Sequence, residues 1–125
     1  MSEIRLGAVE SKFADIIWNN EPLRPVELEK LAEAELNWKR TTTLTILKRL
    51  CERGIFQNKD RIITSLISRE EFYALQSEKF VNDTFEGSLP AFLTAFGSRK
   101  KLSDKEVEEL KKVIDSMRRG VDGLV

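Results

Sequence analysis

The sequence predicts a mainly α chain carrying one small β-hairpin, and three observations predict it. Between Trp38 and Gly54 the positions Thr43, Ile46, Leu47 and Leu50 fall at i, i+3, i+4 and i+7, the spacing of one helical face. After Gly54 this gives way to short β-prone runs, Ile55 to Asn58 and Arg61 to Leu66, separated by Lys59-Asp60. Beyond them, Ser68-Arg-Glu-Glu and Ser103-Asp-Lys-Glu each match the capping box that opens a helix. A chain of 125 residues fits one domain or a small domain with an appendage, and the change of pattern divides it into residues 1–68 and 69–125.

Residues 1–6 read as a loose start. Gly7, with Glu10 three residues on, makes a weak capping box for a first helix on which Val9, Phe13, Ile16 and Ile17 share a face. Trp18 belongs at the edge of that face or against a neighbouring element, and Asn19-Asn20-Glu21-Pro22 breaks the run. Pro25 suits the first position of a second helix over 25–35, where Leu28, Leu31 and Ala32 recur at helical spacing and Glu27, Glu29, Glu33 and Glu35 make it acidic. A short turn through Leu36 and Asn37 leads into the third helix, which Gly54 ends. Helix, turn, basic helix and then a hairpin is the order of a winged helix-turn-helix.

On the third helix Thr41, Thr45 and Lys48 point away from the apolar stripe, and Arg49 sits at its edge. Any soluble helix has a polar outer face, so this alone decides nothing. The helix start says more. Lys39 and Arg40 stand where unpaired N–H groups and the helix dipole disfavour cations by roughly 0.3–1 kcal/mol each, and nothing local in the sequence offsets that cost. A phosphate would offset it. Threonines behind it can meet base edges or thymine methyls, and Lys48 or Arg49 can reach guanine or backbone oxygens, so the stretch is a candidate DNA recognition helix. The hairpin would then be a wing whose Lys59 and Arg61 contact phosphates, although an ordinary solvated turn is charged in the same way.

Lys and Arg together number 21, as do Asp and Glu, so the net charge is zero, which counts against a dedicated polyanion binder. The distribution answers in part: from Trp38 to Arg61 seven cations meet only Glu52 and Asp60. With a single cysteine there is no intrachain disulfide, and Cys51 reads as a small hydrophobe beside the core face. The chain has no histidine, which removes the commonest metal ligand and general base together. Its many glutamates lie on solvated helix faces rather than converging. We therefore expect no enzyme, no metal and no cofactor. Without a leader-like or membrane-spanning apolar run, a cytoplasmic protein is expected.

The C-terminal third is rich in apolar surface. A helix from Arg69 carries Phe72, Tyr73, Leu75, Phe80, Val81 and Phe85 until Gly87-Ser88 breaks it. A short segment from Leu89 holds Phe92, Leu93 and Phe96, and Gly97-Ser98 closes it. The last helix aligns Val107, Leu110, Val113, Ile114 and Met117 on one side, and Gly120 to Val125 reads as a frayed tail. Three such helices hold more apolar face than they can cover for one another, which implies a homodimer. The candidate dimerisation residues are Phe72, Leu75, Phe80, Phe85, Phe92, Phe96, Leu110, Val113, Ile114 and Met117.

These strings together resemble the penicillinase-repressor family of winged-helix transcriptional regulators, the BlaI/MecI type with its copper-responsive CopY relatives. The resemblance runs from about Leu6 to Met117. It is carried by Ile16-Ile17-Trp18, by Trp38 to Leu50 with Arg53-Gly54, by Ser68-Arg-Glu-Glu-Phe and by Leu102 to Leu110. It implies a homodimeric repressor that binds double-stranded operator DNA, with Thr41, Thr42, Thr45, Lys48 and Arg49 on the recognition helix. The departures are specific. Lys39-Arg40 replaces a Ser-Pro after the tryptophan, and the wing lacks the family's Gly-Arg and tyrosine. Ala95-Phe96 stands where a sensor metallopeptidase cuts an Asn-Phe bond in antibiotic-responsive members. The copper branch's C-terminal cysteine cluster is absent, so the resemblance does not extend to copper sensing.

Two functional readings follow: a repressor on a palindromic operator, or a winged-helix module that binds protein rather than DNA.

Overall fold

The computed structural model describes residues 6–119; the expected loose start before Leu6 and the expected frayed tail from Gly120 lie outside the described residues. Helices α1 (Ala8–Asn20), α2 (Pro25–Leu36) and α3 (Arg40–Glu52) lead to strands β1 (Phe56–Lys59) and β2 (Ile62–Ser65). Helices α4 (Arg69–Phe85), α5 (Leu89–Gly97) and α6 (Asp104–Arg119) follow. The chain divides into two compact units, one ending at Phe80 and one starting at Val81.

The first unit is a winged helix. Its helix ends follow from local chemistry. Glu10 and Glu27 reach back to the Gly7 and Arg24 N–H groups at 3.3 and 2.7 Å. Asn37 adopts a left-handed conformation to end α2. Gly54, at φ 82°, ends α3 with its N–H on the Cys51 carbonyl and the Ile55 N–H on the Leu50 carbonyl, the paired bonds of a Schellman motif.

The core is formed by Phe13, Ala14, Ile16 and Ile17 of α1, Leu28 and Ala32 of α2, and Leu47 and Leu50 of α3, with Leu23, Ile55, Phe56, Ile63 and Phe72 around them. Val9, expected on the core face, is 50% exposed, because the packed stripe of α1 begins only at Phe13. Leu6, expected in a loose start, packs against the core, and its N–H donates to Gln76 Oε1 at 3.3 Å.

The wing differs from expectation in its turn. Lys59 ends β1 and pairs with Ile62, so the two-residue turn is Asp60-Arg61, both at positive φ (55° and 64°), as a type I′ hairpin requires. Leu23 adds a one-residue third rung, exchanging backbone bonds with Ile63 at 3.2 and 2.7 Å. The Glu21 carboxylate accepts from the Ser65 N–H at 2.7 Å and from its hydroxyl, fixing β2 to the loop between α1 and α2.

Trp18 sets the start of α4. Its ring lies 5.2 Å from Phe56, 5.6 Å from Phe72 and 6.1 Å from Tyr73, and its Nε1 donates to the Ile67 carbonyl at 3.0 Å. Arg69 covers the same ring at 5.8 Å while pairing with Asp15 at 3.1 Å. Phe72, placed by the sequence on a dimer face, is instead 1% exposed in the core of its own chain, because Trp18 supplies the aromatic partner it needs.

In the second unit, α5 opens with the Ala91 N–H on the Ser88 hydroxyl oxygen, and Phe92 lies between Phe85 and Phe96 at 5.6 and 6.3 Å. Helix α6 opens with a full capping box. The Ser103 N–H donates to Glu106 Oε1 at 3.0 Å, and the Glu106 N–H donates to the Ser103 hydroxyl oxygen at 3.1 Å. Among the described residues, no helix is long and apolar enough to cross a membrane.

Two outcomes follow. Phe72→Ala lowers the stability of the folded chain by about 3–5 kcal/mol, read from urea unfolding, because it empties a fully enclosed site. The Ser103 backbone N–H, then its hydroxyl, holds the Glu106 carboxyl below its ordinary value. A lowered folded-state value means that the cap is intact above the unfolded-state value and is lost as pH falls through the lowered one. Helicity of α6 therefore declines in that acid window, and Glu106→Gln removes this pH dependence in a circular-dichroism titration.

Candidate nucleic-acid interface

Helix α3 presents two opposed stripes. Thr43, Leu47 and Leu50 are buried, with Ile46 half-buried beside them. The buried Thr43 hydroxyl is satisfied by donating to the Lys39 carbonyl at 3.1 Å. Thr41, Thr45 and Lys48, at i, i+4 and i+7, are exposed on the other side, with Thr42 and Arg49 exposed next to them. The short hydroxyl side chains leave room for a groove to approach, and the cations beside them suit a polyanion.

The helix begins at Arg40 rather than Trp38. Trp38 is half-buried, 5.0 Å from Phe13, and Lys39 is the N-cap residue without a side-chain cap. The expectation that nothing local offsets the cations at this helix start is overturned for Arg40. Its Nε lies 3.3 Å from Glu29 Oε1 on α2. At the other end of the helix, Arg49 Nη1 lies 3.2 Å from Glu10 Oε2 on α1. Periodicity gives neither glutamate as a neighbour of α3. The acidity of the second helix was visible, but which glutamate meets which arginine depends on how the helices pack. Lys59 and Arg61 are exposed on the hairpin, Lys59 at the end of β1 and Arg61 within the turn.

The model of the family described as penicillinase repressor matches residues 6–116. The chain belongs to the penicillinase-repressor family. It is 25% identical over 114 residues to the methicillin resistance regulatory protein MecI of Staphylococcus aureus, covering 88% of this chain and 93% of that protein. The MecI of Mammaliicoccus sciuri is 24% identical over the same length. The penicillinase repressor of Bacillus licheniformis is 22% identical over 115 residues, 89% of this chain and 90% of its own. The family is one of repressors, and these relatives are named as regulators rather than as enzymes.

In this member of the penicillinase-repressor family, Leu75 and Phe80 are exposed along α4, and Phe85 and Phe92 are half-buried. Phe96 on α5 is 47% exposed, next to exposed Ala95. On α6, Leu110 is half-buried while Val113, Ile114 and Met117 are exposed at 52%, 42% and 56%. Cys51 is half-buried, and burial, then Glu52, pushes its thiol up from the ordinary value, which suits a packing role.

Proposed function

We propose that this chain is a homodimeric, sequence-specific DNA-binding transcriptional repressor that occupies a palindromic operator. The carrying observation is the bare stripe Thr41, Thr45 and Lys48 on a helix whose opposite stripe is locked in the core. In this reading α3 enters the major groove, with Thr41, Thr42 and Thr45 toward base edges and Lys48 and Arg49 toward guanine or backbone oxygens. Lys39 and Arg40 at the helix start, and Lys59 and Arg61 on the hairpin, take phosphates and fix register. Membership of the penicillinase-repressor family supports repression as the outcome.

Residues 1–68 form the DNA-binding part and residues 69–125 the dimerisation part. The dimer is held by Leu75, Phe80, Phe85, Phe92, Phe96, Leu110, Val113, Ile114 and Met117, without Phe72. The exposed row Val113, Ile114 and Met117 supports a helical partner, since a lone amphipathic helix leaves this surface in water. A two-fold protein reads a two-fold site. A protein of this kind works where the chromosome is, in the cytoplasm. Release by a sensor protease has weaker support, because Ala95-Phe96 replaces the Asn-Phe bond.

The zero net charge and the two internal arginine pairs favour a second reading, a protein-binding winged helix. Salt dependence separates the two, since affinity built on phosphates falls steeply with salt. Lys48→Ala and Arg49→Ala each weaken binding to duplex DNA in anisotropy titrations, and Lys48→Ala lowers the salt slope by about one. Both variants sediment as the parent does. Binding unchanged by both substitutions contradicts the proposal.

A further inference from the structure

Two cations of α3 are already paired within the chain, and the pairs share one geometry. The carboxylates are the covered partners: the side chains of Glu29 and Glu10 are 19% and 22% exposed. The guanidinium groups lie outside them, with Arg40 and Arg49 side chains 75% and 49% exposed. Each glutamate comes from a different helix, α2 or α1, so α3 is held from both of its neighbours. Glu10 is itself oriented: its Oε1 accepts from the Gly7 N–H at 3.3 Å, which leaves Oε2 for Arg49 at 3.2 Å.

A covered carboxylate under an exposed guanidinium offsets charge without using up donors. A guanidinium carries five N–H groups, and one carboxylate oxygen engages only part of that fork. The tie to the glutamate biases the direction of the remaining donors. Charge is what sequence-independent DNA binding uses, whereas a biased direction favours a phosphate that arrives in the right place. The local cation excess from Trp38 to Arg61 is therefore lowered by two carboxylates that lie outside that stretch, in a chain with no net charge.

We propose that Glu29 and Glu10 are positioning residues that restrain sequence-independent DNA binding, by holding Arg40 and Arg49 in place and offsetting their charge. The proposal rests on the DNA-binding reading of α3. Random duplex gains less from each arginine in the parent chain than it does once that arginine's glutamate is neutralised.

The test is an anisotropy titration of random-sequence duplex across a salt series, using the full chain and its Glu10→Gln, Glu29→Gln, Arg40→Ala and Glu29→Gln/Arg40→Ala variants. Glutamine retains the reach to the Gly7 N–H, so Glu10→Gln preserves the α1 cap, and thermal melts of each variant accompany the titrations. Each single glutamine variant binds random duplex about 1.5- to 5-fold more tightly, the scale of an exposed ion pair. Its salt slope steepens by up to about 0.9, one further phosphate. The gain from Glu29→Gln disappears in the Arg40→Ala background. A gain that persists there is a net-charge effect and overturns the proposal. So do glutamine variants whose affinity and slope equal the parent's while Lys48→Ala still weakens binding, a result that leaves the DNA reading standing. A parent chain with no salt-dependent affinity for duplex removes the DNA reading itself, and this inference with it.

Discussion

Burial of Thr43, Leu47 and Leu50 is the constraint on which the rest depends. A helix that commits one stripe to a core must turn the opposite stripe outward, so the exposure of Thr41, Thr45 and Lys48 is enforced by packing rather than chosen locally. Each buried Leu is worth about 1.5–3 kcal/mol relative to exposure, far more than any preference of the outer residues. The hydroxyl of Thr43 is tolerated at the centre of this contact because it donates a hydrogen bond to the Lys39 carbonyl.

Around that helix the remaining elements act as braces. Leu23 pairs with Ile63, Glu21 holds Ser65, and Trp18 joins α1 to the wing and to the start of α4. Glu29 and Glu10 pair with the flanking arginines. Together these contacts seat α3 with its small polar stripe outward, and a positioned donor loses less entropy on contact than a mobile one.

Much of this was legible in the sequence because its signals are local. The 3.6-residue period of α3, the glutamates after Gly7 and Ser103, and Gly54 as a helix stop act within a few residues of one another, and the structure has them as expected. What was not legible lies between elements or in uncommon backbone. A positive φ at Arg61 runs against its residue type, so the residue pattern places the turn one residue early. Phe72 looks like a dimer-face residue in the sequence because its own-chain partner, Trp18, lies 54 residues away. The Arg40 and Arg49 pairs needed the helix packing itself, which periodicity does not supply. The exposed row on α6 was legible as amphipathic, and a lone chain leaves it uncovered.

The central claim is that the outer stripe of α3 is the surface that meets DNA. Amide chemical-shift mapping by NMR of the full chain, titrated with duplex DNA at low salt, tests it directly. The largest shifts are expected on Thr41, Thr42, Thr45 and Lys48, and they fade as salt is added. Shifts that leave these residues unmoved, or that gather instead on Val113, Ile114 and Met117, would contradict it.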